Sequence, residues 1–125
     1  MDKKYIIVAE DDKYYANLFK IKLLKGGYET LIVGNGETAL VAVRQKKPDL
    51  LLLDLVMPIK DGFEVLEELR ADANLKDLKV IVLSNLGQEE DVKKANKMGV
   101  LGYFVKSDIS LVEMMEKIKN IFKHL

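Results

Sequence analysis

Five short runs of this chain are apolar almost without interruption: Tyr5–Ala9, Thr30–Val33, Leu50–Leu53, Val80–Leu83 and Tyr103–Val105. Each has the length of a strand. None alternates with polar residues as a half-exposed strand does, so all five are expected to be covered on both faces. Between them lie stretches with helical spacing. These run over about Lys13–Lys25 (Tyr15, Leu18, Phe19, Leu23), Glu37–Lys46 (Ala39, Leu40, Val43), Gly62–Ala71 (Phe63, Val65, Leu66, Leu69), Gln88–Met98 (Val92, Ala95, Met98) and Leu111–Lys123 (Met114, Met115, Ile118, Ile121, Phe122).

Strict alternation of strand and helix implies a parallel sheet joined by right-handed crossovers, with helices on both faces. Five strands suit the order 2-1-3-4-5 of a flavodoxin-like three-layer α/β sandwich. Local punctuation agrees. Gly26-Gly27 and Gly99 stand where a helix end takes a left-handed residue. Asp61-Gly62-Phe63-Glu64 reads as a capping box, and Ser110-Leu111-Val112-Glu113 as another, with Asp108 competing as the cap. A length of 125 residues makes one domain, expected over 1–125.

Charge and composition remove several function classes. Lys and Arg number 20 and Asp and Glu 20, so no net basic field exists to hold nucleic acid directly. With no cysteine, disulfide frameworks, thiolate metal sites and cysteine nucleophiles are excluded. No apolar run approaches the roughly 20 residues of a membrane span, and the first one is too short for a signal-peptide core. A cytoplasmic protein without a membrane partner is expected.

In open α/β sheets the site lies beyond the carboxyl ends of the strands. There the first run ends in Glu10-Asp11-Asp12, the third in Asp54, the fourth in Ser84 and the fifth in Lys106. Singly, each has an ordinary explanation as a helix cap, a turn residue or a solvated lysine. Jointly, at successive strand ends, they do not. Clustered carboxylates resist full ionisation without a cation, and a hard cation that keeps some of its waters, such as Mg²⁺, suits oxygen donors. Carboxylates, a hydroxyl and an ammonium together form a constellation for handling phosphoryl groups.

Ile7-Val8-Ala9-Glu10-Asp11-Asp12, the stretch Leu53-Asp54-Leu55-Val56-Met57-Pro58-Ile59-Lys60-Asp61-Gly62, Ser84, and Tyr103-Phe104-Val105-Lys106 resemble the receiver domain of two-component response regulators, across essentially the whole chain. The resemblance implies that Asp54 accepts a phosphoryl group from a histidine kinase. It implies that Glu10, Asp11, Asp54 and the Val56 carbonyl hold Mg²⁺. Ser84 and Lys106 would then bind phosphoryl oxygens, and Tyr103 would be an aromatic switch. Output would pass to a protein effector or a second copy through the face of the fourth helix, fifth strand and fifth helix, centred on Tyr103 and including Val92, Ala95 and Asn96. Such a domain is a signalling module rather than an enzyme, although it would catalyse its own phosphorylation and dephosphorylation.

Three positions depart from that pattern. Ser107 follows the lysine where proline is usual, which predicts a trans Lys106–Ser107 peptide and leaves an N–H needing a partner. Val56 and Leu86 are apolar where many relatives carry polar side chains, which predicts a long-lived phosphoryl group. The chain ends soon after the fifth helix, as expected of a stand-alone receiver or one excised from a longer chain. The alternative activity is a Mg²⁺-dependent aspartyl-phosphate phosphohydrolase, which Val56 disfavours by standing where haloacid-dehalogenase-type enzymes have a second Asp.

Overall fold

Neighbouring residues of a strand point to opposite faces, so an unbroken apolar run is stable only with cover on both sides. The structure, a computed structural model, describes residues 3–124. It provides that cover with β1 (Tyr5–Ala9), α1 (Lys13–Lys25), β2 (Glu29–Val33), α2 (Gly36–Gln45), β3 (Leu50–Leu53), α3 (Gly62–Ala71), β4 (Val80–Ser84), α4 (Glu89–Lys97), β5 (Gly102–Val105) and α5 (Leu111–Lys123). The strands pair in parallel in the order β2-β1-β3-β4-β5, as the alternation predicts.

Alternate strand residues feed two separate cores. Ile7, Ala9, Leu51, Leu53, Val80 and Val82 pack with Leu40 and Val43 of α2, Val65, Leu66 and Leu69 of α3, and Ala95 of α4. Ile6, Val8, Leu50, Leu52, Ile81 and Leu83 face the other way, onto Phe19 and Leu23 of α1 and Met114 and Ile118 of α5. Fully burying one such side chain is worth about 1.5–3 kcal/mol.

The expectation of two-sided cover fails for β2. Glu29 and Leu31 are exposed and Thr30 and Ile32 half-buried, while β5 is half-buried throughout. Both are edge strands, with a neighbour on one side only. The central β1, β3 and β4 are buried at every residue.

Of the expected left-handed glycines, Gly27 and Gly99 have φ of 88° and 79°. Gly26 instead closes α1 in a right-handed conformation, at φ −74°. The Asp61–Glu64 capping box forms in both directions, with N···O distances of 2.9 and 3.1 Å. At α5 the competition resolves to Ser110, whose Oγ accepts the Glu113 N–H at 3.2 Å. Asp108 lies in a short 3-10 turn over Lys106–Asp108. Among the described residues no peptide bond is cis, so Lys106–Ser107 is trans. No helix among them is long and apolar enough to cross a membrane.

Parallel pairing delivers the carboxyl ends of β1, β3, β4 and β5 to one edge. The pairing runs on past the strands, because Glu10 N–H bonds Val33 O at 2.9 Å and Asp54 N–H bonds Ala9 O at 3.0 Å. The loop after Asp54 then folds back tightly. Gly62 N–H bonds Leu55 O at 3.0 Å. A Cβ on Gly62 would lie 2.4 Å from the Asp54 carbonyl oxygen, so only glycine allows the approach. Within the same loop Ile59 takes φ 71°, a strained position for a β-branched residue.

Candidate functional site

The four strand ends converge on a charged cluster beneath the surface. Glu10, Asp54, Ser84 and Lys106 are 2%, 3%, 0% and 6% exposed, and are the buried polar residues of the described chain. Charged side chains are rarely this buried unless paired. Here Lys106 Nζ bonds Glu10 Oε1 at 2.8 Å and Asp54 Oδ2 at 2.9 Å. The second oxygen of each acid is also engaged. Glu10 Oε2 accepts the Asp12 N–H at 3.0 Å, and Asp54 Oδ1 accepts the Val56 N–H at 3.1 Å.

Asp11 is exposed at the mouth, and one oxygen each from Glu10, Asp11 and Asp54 lie within 4.8 Å of one another. Asp12 is not part of this group. Its carboxylate caps α1, accepting the N–H groups of Tyr14 and Tyr15. With the three clustered carboxylates ionised, Lys106 offsets one charge and leaves two. An all-oxygen donor set with that residual charge fits a hard divalent cation.

The electrostatics follow from burial. Glu10 is pushed up from 4.5 to about 7, first by loss of hydration and then by the neighbouring Asp54 charge, against the lowering pull of Lys106 and the Asp12 N–H. For Lys106 burial lowers the pKa, but its bonds to Glu10 and Asp54 outweigh it and the net shift is upward. The ammonium is therefore a fixed positive charge on the floor of the site.

The remaining predicted residues are nearby but less tightly bound in. Ser84 Oγ accepts the Leu86 N–H at 3.3 Å. Tyr103, half-buried against the core, donates its hydroxyl to the Leu86 carbonyl. Burial raises its pKa to about 12, with smaller contributions from Asp91 and Asp54, so it stays a donor. Val56 is 55% exposed beside Asp54. On the expected output face Asn96 is exposed and Val92 half-buried, but Ala95 is not a surface residue. It is fully buried in the core, as the residue by which α4 contacts the sheet.

Two further residues, Tyr15 and Asn85, belong to the site without a motif that assigns them to it. Helical spacing marks Tyr15 only as a core-facing position of α1, yet its ring centroid lies 4.7 Å from Lys106 Nζ. Its place in the first turn of α1, just after the acidic end of β1, is the available signal. Asn85 accepts the Ser107 N–H at 3.0 Å through its side-chain oxygen, which provides the partner that this N–H needs.

A doubly wound parallel sheet whose carboxyl edge gathers a buried lysine and three carboxylates defines an α/β domain with a cation-seeking acidic site. The chain belongs to the response regulator receiver domain family, whose model matches residues 6–119. Receiver domains are the phosphoacceptor signalling modules of two-component systems. They bind Mg²⁺ and work with histidine kinases and effectors. Over 104 residues, 83% of this chain and 45% of the relative, it is 35% identical to the DNA-binding response regulator MtrA of Mycolicibacterium paratuberculosis. The chain spans about half the length of the curated relatives it matches. The Mn²⁺-bound form of response regulator Rcp1 is similar at a TM-score of 0.84 and 32% identity, over 95% of this chain and 94% of that one. The receiver domain of a signal transduction histidine kinase from Syntrophus aciditrophicus superimposes with a TM-score of 0.88 at 27% identity, over 98% of this chain and 92% of that one.

Proposed function

We propose that Asp54 is the phosphoacceptor of this receiver. An Asp54 carboxylate oxygen attacks the phosphorus of a kinase phosphohistidine. The new O–P bond forms as the P–N bond breaks, and the departing imidazole keeps the electron pair and takes up a proton. Lys106 turns from Asp54 to an incoming phosphoryl oxygen, and the Ser84 hydroxyl donates to another. These groups work by position and charge, which is most of what phosphoryl transfer asks of a protein. Glu10, Asp11, Asp54 and the Val56 carbonyl are the residues to hold Mg²⁺, which when bound neutralises charge between the carboxylate and the phosphoryl oxygens. The carrying observation is that Lys106 Nζ bridges Glu10 and Asp54 on the buried floor of the acidic cluster.

Once formed, the acyl phosphate is a new dianionic ligand. It draws the Ser84 segment inward and shifts the Tyr103 contact with Leu86, so that the α4–β5–α5 face presents a different surface to an effector or a second copy. Val56 and Leu86 offer no group to align an attacking water, so the phosphoryl group is long-lived. The test is incubation of the chain with Mg²⁺ and a small acyl phosphate or phosphoramidate. The expected result is one phosphoryl mass increment, lost in Asp54→Asn. Stable phosphate on Asp54→Asn contradicts the assignment.

A further inference from the structure

The last paired residues of β4 and β5 are Ser84 and Val105. Beyond them the two chains leave the sheet, and the next residues are Asn85 and Lys106. This is where the site needs most control, because Ser84 and Lys106 carry the hydroxyl and the ammonium that face the reacting group. The backbone ladder ends, but one further cross-strand bond is made. Asn85 Oδ1 accepts the Ser107 N–H at 3.0 Å, so a side chain continues the pairing that the backbone has given up.

We propose that Asn85 is a positioning residue for phosphoryl transfer. It ties the segment bearing Ser84 to the segment bearing Lys106, so that the two donors meet the phosphoryl group as one unit. This rests on the reading of Asp54 as phosphoacceptor. The neighbouring bonds make the tie specific. Ser84 Oγ is held by the Leu86 N–H, and the Leu86 carbonyl by the Tyr103 hydroxyl. Those contacts fasten the segment to itself and to β5. Asn85 alone among them reaches the residue immediately after Lys106. Lys106 Nζ is set by Glu10 and Asp54 at its tip, and the Asn85 bond sets its backbone behind. A lysine held at both ends presents its ammonium in a narrower range of positions than one held at the tip.

Asn85 and Ser107 are both exposed. Water can therefore take over the freed N–H in a variant, and the fold has little to lose. That separates positioning from stability. Net hydrogen-bond strengths correspond to a change of about two- to ten-fold in rate.

The experiment measures phosphoryl uptake from a small acyl phosphate at saturating Mg²⁺, for the wild-type chain, Asn85→Ala, Ser107→Pro and the double variant, with thermal midpoints recorded for all four. Ser107→Pro removes the donor, so the tie is already absent there. The expected result is slower uptake in Asn85→Ala at an unchanged midpoint, and no further slowing when Asn85→Ala is added to Ser107→Pro. Unchanged uptake in Asn85→Ala, or equal slowing with and without Ser107→Pro, overturns the proposal while wild-type uptake leaves the phosphoacceptor reading in place. Absence of uptake in the wild type overturns both.

Discussion

Two neighbouring units of the same sheet are built very differently. The β3–α3 unit is buried at every strand residue, its helix opens on a reciprocal capping box, and Val65, Leu66 and Leu69 fill the core. The β4–α4–β5 unit follows a fully buried β4 with an α4 that has no side-chain cap and buries Ala95 alone, then with a β5 that is half-buried throughout. Asp54 stands on the first unit, and Ser84, Tyr103 and Lys106 on the second. Low-stability elements are the ones available to move. On the reading proposed above, the acceptor stands on a stiff base, while Ser84, Tyr103 and Lys106 flank an α4 that only Ala95 anchors in the core.

The largest contrast between the two units is expected when the core is cut on each side. Leu69→Ala in α3 removes a fully buried side chain and is expected to cost about 2–5 kcal/mol. Val92→Ala, half-buried on α4, is expected to cost about 1 kcal/mol or less. Denaturant unfolding compares the two, and equal losses would mean that α4 is as firmly seated as α3.

A second test concerns the charged floor. Glu10 is raised in the folded chain to about 7, so the native state holds a proton that the unfolded chain releases near 4.5. Metal-free stability therefore falls as pH rises from about 4.5 through about 7, by on the order of 1–3 kcal/mol. Lys106, raised as well, loses its contribution only at alkaline pH, outside this window. Glu10→Gln is expected to flatten the slope, as thermal midpoints across that range will reveal. Because cation binding needs the ionised carboxylate, Mg²⁺ affinity is expected to rise over the same interval.

Capping gives a smaller contrast. Asp61→Ala loses the carboxylate that accepts the Glu64 N–H, while its own backbone N–H can still reach Glu64 Oε1, and is expected to cost about 1 kcal/mol. Gln88→Ala at the start of α4 removes no capping bond and is expected to leave the unfolding midpoint where it was. One effect has the opposite sign. Ile59 takes φ 71° at 74% exposure, so Ile59→Gly relieves strain with little packing lost. It is expected to stabilise by about 0.5–1 kcal/mol in the same unfolding experiment.

Much of this layout is legible in the sequence because the signals are periodic. Strand-length apolar runs at regular intervals dictate the parallel sheet, and the sheet dictates that Glu10, Asp54, Ser84 and Lys106 meet. What escapes depends on placement. Leu31 and Ile32 read as buried because nothing in the run itself says that β2 is an edge. Ala95 shares the apolar spacing of Val92 and Met98 and also neighbours Asn96 on the expected output face, and spacing alone does not say that it is the residue α4 buries. The Asn85–Ser107 bond joins residues 22 apart through one side-chain oxygen, and no periodicity reports such a pair. The missing proline announced only that an N–H needed a partner, not which one.

The most direct measurement compares backbone amide chemical shifts of the Mg²⁺-loaded chain before and after beryllofluoride addition. Beyond the acidic cluster, large changes are expected through residues 84–87, α4 and β5, including Tyr103, with α3 beyond its first turn nearly unmoved. Changes confined to Glu10, Asp11 and Asp54 and their immediate neighbours, or changes as large in α3 as in α4, would contradict this contrast between the two units.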